Sequence, residues 1–150
     1  MIEEAKIAIL NSSKESSVYI GCDSIRFKKK DVWYARYCTV IVLHVDSKHG
    51  CKLFHDVRTI PDYGNLKMRL MTEVSYVTEL ASELIEVMGD RPLSIHLDIN
   101  PNPKHKSSIA VKEALGYVRG MFGFDPVLKP DAWCASKAAD HAVRNVETIQ

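Results

Sequence analysis

SIHLDINPNP, residues 94–103, is a short apolar run that closes on one carboxylate and passes at once into asparagines and prolines. A buried strand imposes a desolvation cost on an ionised Asp98 that a solvated loop would not. Its meaning therefore depends on which other carboxylates arrive at the same place. Working outward, SVYIGCDS (17–24) is a second β-branched and aromatic run, and it closes on Asp23. Between the two lie RFKKKD (26–31), a basic turn, and VWYARYCTVIVLHV (32–45), a long β-forming run. SKHG (47–50) breaks that run, and CKLFHDVRTI (51–60) alternates partway with a two-residue period. These segments predict a three-stranded antiparallel meander.

Pro61 to Gly64 mark a loop, with Asn65 placed to cap a helix. Over residues 66–88, Leu66, Leu70, Val74, Val77, Ala81, Leu84, Ile85 and Met88 form one stripe at helical spacing. GDRP (89–92) ends the helix, and 93–99 reads as a fourth strand. After the loop NPNPKHK, Ser107 or Ser108 caps a helix carrying Val111, Leu115, Val118 and Phe122 on one face. GFDPVLKP (123–130) reads as a short fifth strand, and Ala132 to about Val146 as an alanine-rich last helix. The order β-β-β-α-β-α-β-α predicts an α/β fold. Its mixed five-stranded sheet, a three-stranded antiparallel meander plus two parallel strands, is flanked by helices.

A chain of 150 residues fits a single domain, 1–150, with a substantial core. At 46% apolar and 26% charged residues it has the composition of a folded protein, which excludes disorder. The net charge of +1 names no partner, so any anion-binding surface must be a local patch. Cys22, Cys38, Cys51 and Cys134 form no CxxC pair and read as reduced thiols. No apolar run approaches the ~20 residues of a membrane span, and MIEEAKIAIL is acidic where a signal peptide is basic. The expectation is a cytoplasmic protein with no membrane partner.

Ligands of open sheets bind outside the carboxyl ends of the strands. If the first and fourth strands are parallel neighbours, Asp23 and Asp98 share one rim. Like charges there raise a pKa or demand a cation, and Mg²⁺ or Mn²⁺ suits oxygen ligands. Each residue also has a plainer reading. Asp23 serves equally as a turn residue before the basic segment, and DINPNP is itself loop chemistry. Two basic clusters suit a phosphate backbone: Arg26, Lys28, Lys29 and Lys30 around Phe27, a ring able to stack on a base, and Lys104 and Lys106 after the Asp98 strand. A lysine-rich hairpin tip is also an ordinary solvated turn. His44, His49, Cys51 and His55 match no familiar structural-zinc spacing.

IGCDS, HLDIN and KPDAWCASKAADHA, in this order and with this element sequence, resemble the YkuK-like family, a branch of the ribonuclease H-like superfamily. The resemblance implies metal ligands at Asp23, Asp98 and, on the last helix, Asp140. The glutamate that the classical ribonucleases H carry on the first long helix finds its nearest match in Glu73, about 65° from the centre of the apolar stripe. Glu79 and Glu83 point further toward solvent. The implied function is a Mg²⁺- or Mn²⁺-dependent nuclease hydrolysing phosphodiesters of RNA or DNA by a two-metal-ion mechanism. Lys129, after the fifth strand, ranks above His141 as an assisting catalytic residue. The alternative is a catalytically inactive nucleic-acid-binding or assembly module of the same fold.

Overall fold

The computed structural model describes residues 1–149, with side chains through Arg144. The first strand, β1 (Ser17–Lys29), and the second, β2 (Val32–His44), form a long hairpin in unbroken register, from Ser17 opposite His44 to Lys29 opposite Val32. Lys30 and Asp31 join them, both at positive φ (50° and 64°), the backbone that a two-residue turn needs to match strand twist. The third strand, β3 (Cys51–Pro61), completes the antiparallel meander on the outer side of β2. The fourth, β4 (Leu93–His96), lies parallel to β1, pairing Val18 with Leu93 through Gly21 with His96. The order is β3-β2-β1-β4, so β1 is central and the expected parallel neighbour is in place.

β1 runs through most of the segment expected as a basic turn (26–31), so Asp23 lies inside the strand and not at its end. Two elements also differ from the sequence expectation. Among the described residues the sheet has four strands, not five. The anticipated fifth is reduced to one parallel bridge between His96 and Val127. Val127 N–H donates to Ile95 O at 2.8 Å, and Lys129 N–H donates to Ile99 O at 3.0 Å. Val127 and Lys129 are the residues in phase to donate toward the fourth strand, so Pro126 and Pro130, which fall out of that phase, take no donor from this short pairing. The second difference is an additional helix, α1 (Ile2–Asn11), which buries Ala5 and Ile9.

The long helix α2 (Leu66–Met88) has the expected bounds, and Asn65 caps it by accepting from Met68 N–H at 3.0 Å. It stops at Gly89, whose φ of +56° suits a residue without a Cβ. The next helix, α3 (Val111–Phe122), follows a 3-10 turn over Lys106–Ala110. Neither expected serine caps it; Ser107 Oγ accepts from Asn100 N–H at 2.9 Å and ties down the loop after Asp98. The last helical segment opens as a π-helical turn (Cys134–Ala139) and continues as α4 (Asp140–Ile149).

Strand alternation divides the core. Val18, Ile20 and Cys22 of β1 and Tyr37, Ile41 and Leu43 of β2 pack toward α2, against Leu70, Val74, Val77, Ala81 and Leu84. The opposite face carries Cys38, Val40 and Val42, covered by Cys134, Ala139 and Val143. Ile85, assigned to the apolar stripe of α2, is 51% exposed. Among the described residues, no helix is long and apolar enough to cross a membrane.

Candidate metal centre

Four elements bring acidic residues to the upper rim of the sheet. Asp23 lies on β1, two residues beyond its last pairing with β4 at Gly21. Asp98 follows the end of β4 at His96 by two residues. β4 ends short of Asp23, and Glu73 of α2 is buried among the apolar residues packed against this side of the sheet. Ligand oxygens of Asp23, Glu73 and Asp98 all lie within 4.8 Å of one another. Asp23 is 8% exposed, Glu73 5%, and the Asp98 side chain 16%.

Burial and crowding set the electrostatics. Desolvation, then the Glu73 and Asp98 charges, then hydrogen bonding with the Asp98 and Asp140 carboxyls push Asp23 up to about 10. Glu73 is also raised well above its ordinary value, by burial first and Asp98 second; Ser24, Arg69 and Lys129 oppose this. Ser24 Oγ donates to Glu73 Oε2 at 2.6 Å, and Ser24 N–H donates to Asp23 Oδ1 at 2.8 Å, so one residue orients two carboxylates. Lys129 Nζ sits 2.7 Å from Asp98 Oδ1. That approach lies off the line a hydrogen bond requires, so the buried oxygen has a counter-charge but no aligned donor. Burial works against the Lys129 charge, but Asp98, Asp23 and Glu73 together raise its pKa.

Asp140 stands outside the three-way group. It is the first residue of α4, contributes to the raised pKa of Asp23, and accepts from Arg144 Nε at 2.8 Å. Its place depends on Gly21. A Cβ at that position would sit 2.7 Å from Ala135 N and 2.8 Å from the Cys134 carbonyl carbon. Only a glycine lets the π-helical turn lie this close to β1. His96 supports the same turn: Nδ1 accepts from Cys134 N–H at 3.1 Å, and the ring meets Tyr19 and Trp133 edge to face. Desolvation lowers its pKa to about 4, which keeps the accepting nitrogen unprotonated at neutral pH.

The basic residues separate by alternation. Arg26 pairs with Asp62 and lies 4.5 Å over the Trp33 ring, and Lys28 reaches 3.8 Å from Asp31. Both alternate onto the face opposite Asp23. Lys104 and Lys106 are exposed in the loop that leaves Asp98. Among the described residues, His44, His49, Cys51 and His55 form no metal-compatible group.

Sequence reasoning passed over Ser24, Arg69 and Gly21. Period-two alternation from Asp23 turns Ser24 toward α2, and Arg69 lies four residues before Glu73, one helical turn away. Gly21 carried no local signal, because its partner is more than 100 residues distant in the chain.

The donor set fits a hard divalent cation: three oxygen ligands, two of them nearly buried, with negative charge that Lys129 only partly offsets. A mixed sheet in this order, with a carboxylate at the rim on β1, after β4 and on α2, defines a ribonuclease H-like α/β fold. The family model described as Ribonuclease H-like matches residues 1–144. The chain belongs to that family, the YkuK family. No curated protein and no solved structure matches the chain.

Proposed function

We propose that the protein is a Mg²⁺- or Mn²⁺-dependent nuclease that hydrolyses phosphodiester bonds of RNA or DNA. The observation that carries this reading is the convergence of Asp23, Glu73 and Asp98 within 4.8 Å at a desolvated rim. Asp23, central among them, is the ligand best placed to be shared, and Asp98, Glu73 and Asp140 surround it. Bound divalent ions supply charge for the phosphate oxygens and an activated water as nucleophile. The chain's own residues do the positioning. Ser24 fixes the Glu73 and Asp23 carboxylates; Lys129 offsets charge at Asp98 and offers an ammonium to a phosphate oxygen. Lys104 and Lys106 extend a positive surface along the loop next to Asp98, suited to a nucleic-acid backbone. Arg26 and Lys28, on the other face, contribute less to that track.

A second reading, a nucleic-acid-binding module without turnover, draws on the Lys129–Asp98 ion pair, which tempers the cluster without metal. Mn²⁺ titration followed by thermal melting separates the two. A nuclease gains stability with Mn²⁺, EDTA reverses the gain, and Asp98→Asn removes it. Cleavage of a labelled oligonucleotide should fall at least ~1,000-fold in Asp98→Asn, equivalent to about 4 kcal/mol of barrier. A wild-type melt unmoved by metal, with no cleavage, would leave only the binding module.

A further inference from the structure

The sheet face that carries Asp23 continues past the last helix. Along β1, Asp23, Ile25, Phe27 and Lys29 alternate onto this side; opposite them on β2 stand Cys38, Arg36, Tyr34 and Val32. Beyond Ile25 the face opens into a cavity of about 670 Å³ lined by Phe27, Lys29, Lys30, Tyr34, Arg36 and Thr59, among others. Phe27 and Tyr34 are stacked, with centroids 5.7 Å apart and planes 22° apart. The buried Arg36 guanidinium lies 4.6 Å over the Phe27 ring. Lys29 and Lys30 stand exposed at the mouth. Aromatic rings at the floor and flexible cations at the rim are complementary to a base with its phosphates, and poorly suited to a purely apolar ligand.

We infer that this groove seats an unpaired stretch of the nucleic-acid strand, with a base stacked on the Phe27–Tyr34 pair and flanking phosphates on Lys29 and Lys30. The inference deepens the nuclease reading and rests on it for the direction of the strand. Phe27 is four residues from Asp23 along β1, about 13 Å at ~3.3 Å per residue. A strand stacked at ~3.4 Å per nucleotide covers that span in about four nucleotides. The substrate class is therefore single-stranded nucleic acid, or a duplex with a single-stranded flank, not continuous duplex. A duplex presents no free base face to the ring pair.

Fluorescence anisotropy with a labelled single-stranded oligonucleotide and the matching duplex, in EDTA so that nothing is cleaved, tests this. The wild type should prefer the single strand. Phe27→Ala should weaken single-strand binding at least about fivefold, the low end for one lost base stack, and Phe27→Trp should restore it. Lys29→Gln with Lys30→Gln should reduce the slope of log affinity against log salt by about 1.4, and Lys52→Gln at the far end of β3 should not. If circular dichroism shows Phe27→Ala unfolded, the lysine pair decides. Wild-type binding with no single-strand preference, or an unchanged salt slope in the lysine pair, overturns the groove. Asp98→Asn keeps the two ideas apart. It should keep the preference for single strand over duplex while losing cleavage; if it cleaves normally, the nuclease reading fails and the groove is judged on binding alone.

Discussion

The two faces of the sheet are covered by different kinds of packing. α2 lies on one face as a regular 23-residue helix, capped at Asn65 and buried through Leu70, Val74, Val77, Ala81 and Leu84. The opposite face is covered by small side chains, Cys134, Ala135 and Ala139, on a π-helical turn pressed against the bare backbone of Gly21. The first face is held by volume; the second by close approach. Each delivers a carboxylate to the rim, Glu73 from α2 and Asp140 from α4, and between them the strands present Asp23 and Asp98. Bulky packing tolerates small shifts by repacking. Backbone contact does not, so the Asp140 side of the site has the narrower tolerance.

That contrast can be broken directly. Leu84→Ala removes a fully buried side chain from the regular face and should cost about 3 kcal/mol in denaturant melts. Cleavage measured well below the melting temperature should change little. Gly21→Ala should cost at least as much, about 3 kcal/mol or more, because the new methyl group meets the Cys134 and Ala135 backbone and the π-helical turn can only retreat as a unit. That retreat carries Asp140 with it, so activity should drop more than in Leu84→Ala. Equal activity in the two variants would show that the close approach does not position the site.

A smaller effect sharpens the electrostatic side. Without metal, Asp23→Asn removes the cost of keeping a buried carboxyl protonated beside Glu73 and Asp98 and should raise stability at neutral pH by on the order of 1–2 kcal/mol. With Mn²⁺ present the order should reverse, since only the wild type gains from the ion. The sign follows from Asp23's raised pKa. The folded state holds its proton more tightly than the unfolded chain, so metal-free stability falls as pH rises from about 4 toward 10, and the asparagine variant lacks that decline. The smallest change is local to α2: Asn65→Ala loses the cap on Met68 N–H and should cost about 1 kcal/mol, leaving metal response intact.

Much of this arrangement is written locally. Alternation along 17–24 and 32–45, the stripe of α2 with its Asn65 cap, and the placement of Asp98 just past a strand end are each encoded within a few residues, whereas Asp23 lies inside β1, which runs on to Lys29. The short fifth segment was also open to a local reading. Its alternate residues Val127 and Lys129 donate to Ile95 O and Ile99 O, and the second contact places the lysine beside Asp98. α1 carries only a weak local signal, because Ala5 and Ile9, one turn apart, are its two buried residues.

By itself the sequence determined the strands, the long helix and the identity of the acidic residues, since period and capping act through neighbours in the chain. Which acids meet was settled only by tertiary structure. Glu73 joins Asp23 and Asp98 because β4 ends early and leaves the rim open to α2, while Asp140 stands one step back. The same holds for Gly21 against Ala135 and for Lys29, rather than Lys28, on the face that carries Asp23. Desolvation and Coulomb repulsion act through space between residues 25 to 117 positions apart, and no local pattern encodes those distances.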